Sequence, residues 1–515
     1  MRWFLPAGIA LLAGCAAAPA PTPQSAPPRA PEPSATGEPV PAEQPDSVPG
    51  LPSAPAECAT FVAHAAEPPQ CGSGKAADHA TLARALELGD VAQRDANLAQ
   101  LEPCSTFAAG LIRAFRAELA PIACADAIVS APGSDEPAEA LRDPLRGLAL
   151  AAGLHRLVRN PPVLEPPIDR ERFRDFFQGT LKDWILEQAH LVHTLAARGA
   201  KLEGYGQGLA AIEAGLADMR FVEVVRYAPV PDFISSDAEL RDVYYGSLDQ
   251  ALEPRKAQGR DAALVGLRVF AAEGILHDAR VVRARTLLSH LYRGRRIDAL
   301  DGLPIDPPTP PHPTSVEQRL AAHLPTFYVN LVLGDVDATQ PALLGALLQQ
   351  GVPSFLTPQW RPDQLDPETR FLLAWARFRS GQLYWRASDF AAAAALLDAP
   401  LPGPHAAEAE LIAATSRALA RGPADAVAMM RSGQPEGVDV SELESLAARP
   451  GPNQGRAGFT AAYLLQLSPP TNTPRDFWSE LERRFQEAAA HLESPLRERA
   501  LDAAAAAGAT ARAVR

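Results

Sequence analysis

The alternation of apolar and polar positions along this chain reads as helix after helix. It predicts helices over 76–87, 90–101, 105–119, 138–158, 170–198, 206–226, 237–252, 261–273 and 278–293. Further helices follow over 316–323, 341–350, 367–386, 389–398, 405–421, 423–431, 459–467, 474–491 and 495–507, with no convincing run of strands. Asp366-Pro367, Thr473-Pro474 and Ser494-Pro495 each place a capping side chain ahead of a proline at the first helical position. Ser315 with Gln318 forms a capping-box pattern. Gly204-Tyr205-Gly206-Gln207-Gly208 has neither a preceding strand nor a Lys-Ser/Thr, so it reads as a turn and not as a phosphate cradle. The expected fold is all-α, an array of helix hairpins of the α-solenoid type.

The pattern changes at the N-terminus. Arg2 precedes the apolar stretch Trp3 to Ala13, which is too short to span a bilayer as a helix and has the build of an export signal. Residues 16–57 are dominated by Pro, Ala, Glu and Ser, a composition that cannot bury enough apolar surface to order itself. They read as a disordered, extended tether. At ~3.1 Å per residue, about 42 residues would reach on the order of 130 Å fully stretched. The division by sequence is a signal over 1–14, a linker over 15–57, a helical region over 58–302, a Pro-rich connection over 303–314 and a second helical region over 315–515. Among 515 residues, 47% are hydrophobic, 6% aromatic and 51 are proline, as expected of an alanine-packed helical body with a proline-rich segment. The net charge of −13 argues against a nucleic-acid-binding surface.

Leu12-Ala13-Gly14-Cys15 resembles the lipobox of bacterial lipoproteins. The resemblance implies cleavage before Cys15, a diacylglyceryl group on its thiol and acylation of the new amino group with a fatty acid such as palmitate. Several acyl chains, at about 0.8 kcal/mol per buried CH₂, anchor far more firmly than one. Ala16, where an Asp would signal inner-membrane retention in related envelopes, implies the outer membrane, with the exposed side undetermined. Cys58, Cys71, Cys104 and Cys124 cluster at the start of the folded region, and in an exported chain an even set reads as two disulfides. Three pairings are open. The spacings are too long for a zinc site of paired cysteines.

Residues 366–432 resemble a degenerate tetratricopeptide repeat. Gly381 and Tyr384 stand at the glycine and tyrosine of its first helix, Phe390 opens the second helix, and Ala393 takes that helix's alanine. A comparable turn recurs at Gly422-Pro423, 34 residues after Ser388. Arg377, Ser380, Leu397 and His405 depart from the consensus.

Candidate chemistry is sparse. Glu187, His190 and His193 are spaced by three on one helix, a weak candidate for metal binding that lacks a second E-x-x-H, although Glu213 on the next helix is placed to approach. Arg280, Arg283, Arg285, Arg293, Arg295 and Arg296 form the one basic concentration, a candidate binding patch for lipid phosphate or an acidic partner. No G-x-S-x-G or H-E-x-x-H motif occurs, and no cofactor is implied. The expected function is that of a membrane-anchored envelope lipoprotein whose helical repeats bind other envelope proteins. The alternatives are a cell-wall-acting enzyme of the lytic-transglycosylase kind on a helical scaffold, its catalytic glutamate carrying no signature, or a structural spacer.

Overall fold

The computed structural model describes residues 48–132, 136–166, 168–292, 294–309, 312–334, 341–348, 350–352, 365–432, 438–469 and 473–514. Cys15 and the expected signal over 1–14 lie outside them, as does most of the expected linker. Five short helices come first: α1 (Cys58–His64), α2 (Lys75–Leu86), α3 (Val91–Leu101), α4 (Leu111–Leu119) and α5 (Ala125–Val129). Helices this short are marginal alone, and here covalent and ionic ties fasten them. Cys58 pairs with Cys124 and Cys71 with Cys104, with Cα atoms 5.2 and 5.4 Å apart. The first disulfide fastens α1 to the entry of α5, and the second joins the segments flanking α2 and α3. The fully enclosed Arg116 guanidinium on α4 bonds Asp95 (Nε, 3.0 Å), Glu102 (Nη1, 2.8 Å) and the carbonyl of Phe61 (Nη2, 2.7 Å).

The middle of the chain supplies α6 (Glu139–Arg156), α7 (Arg170–Gln178), α8 (Thr180–Gly199), α9 (Gly204–Arg226), α10 (Asp232–Ser235), α11 (Ala238–Ala272) and α12 (Ala279–Leu291). Here the structure corrects three expectations. The helix predicted over 170–198 breaks at Gly179. The predicted turn Gly204–Gly208 is the first turn of α9, and its glycines serve close packing: a Cβ on Gly206 would lie 2.2 Å from the carbonyl oxygen of Asp143 on α6. The separate helices predicted over 237–252 and 261–273 are one 35-residue helix that runs through Pro254. At 1.5 Å per residue α11 is roughly 52 Å long, and α9 lies along it and against α6.

The remaining helices are α13 (Val316–His323), α14 (Val329–Leu333), α15 (Pro341–Leu347), α16 (Pro367–Tyr384), α17 (Ala387–Leu396), α18 (Ala406–Leu419), α19 (Ala426–Ser432), α20 (Ser441–Ala447), α21 (Gln454–Leu467), α22 (Arg475–Ala489) and α23 (Leu496–Ala513). From α16 onward, apart from α19, which lies against α11, they stack as successive hairpins. Asp366 caps α16 through the amides of Glu368 and Thr369, and Ser315 with Gln318 closes the expected capping box on α13. At Pro474 and Pro495 no side-chain cap forms, and α22 and α23 begin one residue later than predicted.

One hydrophobic core runs from α1 to α21 and does not divide at the Pro-rich connection. The sharp end of α16 is one seam of it. Trp385 adopts φ 56° and sends its indole N–H to the carbonyl of Ile297 (2.8 Å), while the Tyr384 hydroxyl reaches the carbonyl of Ile275 (2.7 Å). Among the described residues there is no strand, only an isolated bridge between Ile275 and Gly351, and no helix is long and apolar enough to cross a membrane.

Candidate functional site

A groove of about 930 Å³ opens where the N-terminal helices, the α6 C-terminus and the start of α12 meet. The segment Pro52 to Glu57 and the turn Leu119–Ala123 form one wall, and residues 275–283 and Pro325 the other. Its floor is a buried polar network. The Glu118 carboxylate, only 6% exposed at the end of α4, accepts bonds from Arg280 on α12, from the Tyr205 hydroxyl (3.0 Å) and, more weakly, from the Tyr328 hydroxyl (3.5 Å). Arg280 also bonds Asp278 (Nη2 to Oδ2, 2.6 Å), the N-cap of its own helix. Burial alone would lower the Arg280 pKa, but Asp278 and then Glu118 outweigh it and hold the group well above its ordinary value. Burial, then the Glu118 charge, pushes the Tyr205 and Tyr328 hydroxyls well up. The floor is thus an internally compensated ionic layer.

The end of the groove near α6 differs. Glu213 of α9, wholly buried, faces His155 Nδ1 (3.3 Å) and accepts a bond from Arg283 Nη2 (2.8 Å). Arg220 donates to the carbonyls of Leu157 (2.8 Å) and His155 (3.2 Å), satisfying carbonyls at the C-terminal end of α6. Arg159 folds back through Nε onto the His155 carbonyl (2.7 Å) and, among the described residues, meets no carboxylate. Val158, between them, is buried with φ 59°, a left-handed conformation that costs a β-branched residue roughly 1–3 kcal/mol. The Gln188 side chain holds it by accepting the Val158 amide (2.9 Å). Burial, followed by the neighbouring Arg159 charge, pulls the Arg220 pKa down to about 10.

The sequence-derived candidates are scattered. Glu187, His190 and His193 lie on the exposed face of α8, and Glu213 points instead to His155 and Arg283. No three His, Cys, Asp or Glu side chains come together as a metal site among the described residues. The arginine run is not one open patch. Arg280 and Arg285 are buried, and Arg285 is closed on Asp301 (2.8 Å) and the Ile297 carbonyl (3.2 Å). Arg295 bonds the Met430 carbonyl, Arg296 pairs with Asp298 (3.1 Å), and Arg293 lies outside the described residues. Of the described members of this run, Arg283 alone faces the groove at its α6 end. Gly381 and Phe390 meet inside the α16–α17 hairpin, where a Cβ on the glycine would come 2.9 Å from the Phe390 ring, and Ala393 is fully buried beside them. Tyr384, at the end of the same hairpin, ties it to the middle of the chain and has no part in the groove.

Glu118, Tyr205, His155 and Arg159 carry no motif, and the groove joins segments far apart in the chain. The nearest signal was Tyr205 among glycines. No protein-family model, curated protein or solved structure matches the chain.

Proposed function

We propose that this chain is an exported lipoprotein, anchored through Cys15 in the outer membrane, whose helical body binds segments of other envelope proteins. The observation that carries the reading is the open groove, large enough for several residues of extended peptide and lined by fixed proline-bearing backbone and a rigid ionic floor. A preorganised surface loses little entropy when it takes an extended ligand. The lipobox-like Leu12-Ala13-Gly14-Cys15 and the Pro-rich residues that follow support a tethered placement, and two disulfides suit an oxidising compartment. The α16–α17 hairpin, closed by Gly381 and Phe390, supports the tetratricopeptide-like reading of that region.

Crosslinking of cells carrying a tagged chain, followed by membrane solubilisation and identification of the captured proteins, tests this beside a Cys15→Ala control. One stoichiometric envelope partner, lost in the control, is expected. No partner in either sample contradicts the scaffold.

A second reading draws on Glu118, a buried carboxylate in the groove beside two tyrosine hydroxyls, the setting in which a cell-wall glycan hydrolase would keep its acid. Against it, the bonds from Arg280 and Tyr205 already occupy this carboxylate as an interior counter-ion. Cleavage of purified cell wall by the wild-type chain, abolished in Glu118→Gln, would replace the scaffold reading with this one.

A further inference from the structure

We infer that the Arg159–Arg283 end of the groove is a carboxylate-binding site that receives an acidic, extended peptide segment; this deepens the scaffold reading and rests on it.

Three observations on the molecule converge. The first is charge. Arg159, Arg283 and the enclosed carboxylate of Glu213 gather around Arg220, with Arg283 bonded to Glu213 and Glu223 a further acidic neighbour of Arg220. Arg220 bonds carbonyl oxygens and, among the described residues, pairs with no carboxylate, and the depressed proton affinity of this guanidinium follows from burial first and then from Arg159 and Arg283. A cationic excess set in a chain of net charge −13 is a local exception, and local exceptions of this kind select partners.

The second is geometry. Arg159 and Arg283 are exposed and both line the groove. Arg283 commits only Nη2 to Glu213, and Arg159 commits Nε and Nη2 to His155, so each guanidinium keeps donors directed to no acceptor among the described residues. Forked donors of this type match the two oxygens of a carboxylate. The left-handed turn at Val158 sets Arg159 beyond the end of α6, and Gln188 and Arg220 hold that turn in place. Backbone strain that neighbouring side chains maintain is characteristic of binding sites.

The third is the surroundings. The site stands at the C-terminal end of α6, where the helix offers carbonyls and no amide groups, and Arg220 already covers two of those carbonyls. A phosphate cradle of backbone amides is thus absent here, and an anion is held only by the guanidinium groups, which must outweigh the negative end of the helix dipole. The groove continues past Leu119, Pro121 and Pro325, apolar walls that fit the rest of an extended peptide and not a lone ion.

Fluorescence anisotropy of the full-length protein in detergent, with a labelled octamer of glutamate and its glutamine counterpart, tests the assignment. The glutamate peptide should bind at least tenfold more tightly, and the difference should shrink with added salt. Arg159→Gln should weaken it by tenfold or more, whereas Arg483→Gln, on the remote surface of α22, should leave it unchanged. Because Arg283→Gln leaves Glu213 with one partner fewer, circular dichroism should accompany it, and Arg159→Lys, which keeps the charge without the fork, should bind at an intermediate level. Equal binding of the two peptides, or indifference to Arg159→Gln, overturns the site. Vesicles of phosphatidylglycerol that bind through Arg159 and Arg283 while the peptide does not would also overturn it, in favour of a lipid ligand. An envelope partner captured in cells equally well by the Arg159→Gln chain would retain the scaffold and refute this site alone.

Discussion

Arg116 shows how a charged side chain can organise a core. Its guanidinium is sealed between α1, α3 and α4, and its partners Asp95 and Glu102 have little access to water. Removing it would leave the enclosed Asp95 to His64 and Glu102 to Arg113, and breaking a buried ion pair typically costs 3–5 kcal/mol. Arg116→Leu is therefore expected to lower the free energy of unfolding by about that amount, read from denaturant melts, and a change within ~0.5 kcal/mol would show that the network adds nothing. Histidines act in a second way at the same scale. Burial lowers the pKa of His155, despite the opposing pull of Glu213, and burial and then Lys75 lower that of His79, both from an ordinary 6.5. A lowered folded-state pKa means that the unfolded chain binds more protons near pH 6.5. The stability these residues contribute is complete above that pH and is lost as the pH falls through their folded values. The thermal midpoint should fall between pH 7.5 and 6, and the fall should be smaller in His79→Gln; an unchanged midpoint would contradict the assignment.

At the scale of elements, Pro254 is the clearest lever. It sits on the exposed side of α11 and removes one backbone hydrogen bond from the middle of a continuous helix. Pro254→Ala should stabilise the protein, by up to about 3 kcal/mol, as measured by the chemical-denaturation midpoint. Destabilisation would mean that the proline bends α11 into a shape that α9 requires. The same residue explains what the sequence could and could not disclose. Proline inside a helical pattern signals a break, which divides the sequence pattern at this point, but the packed face of α9 along α11 outweighs the local penalty. Helix starts with a side-chain mechanism were legible, as at Ser315 with Gln318 and at Asp366. The turn reading of Gly204–Gly208 failed because glycine signals a left-handed backbone and close helix approach equally well, and only the neighbouring α6 decides between them. The groove was illegible for a different reason. Glu118, His155, Tyr205 and Arg280 lie on four helices or their ends, and no local pattern records that they meet.

For the molecule as a whole, the continuity of the core across 303–314 matters most. Tyr384 and Trp385 bond carbonyls of Ile275 and Ile297, and Arg319 of α13 pairs with Glu87 at the C-cap of α2. Elements this intimately shared should unfold together. A single calorimetric transition is expected for the bulk of the chain, with Trp385→Ala lowering stability by about 3–5 kcal/mol without splitting it. Two resolved transitions would support a domain boundary at the prolines. The lipid anchor and proline-rich tether proposed above would let a body with one continuous core present its groove to partners. That claim is tested most directly by site-specific photocrosslinking in living cells, with the reactive residue at Ala120 in the groove wall or at Leu501 on the exposed side of α23. The scaffold reading predicts one envelope protein crosslinked from position 120, absent from position 501 and lost with Cys15→Ala. Equal crosslinking from both positions, or none from 120, would contradict it.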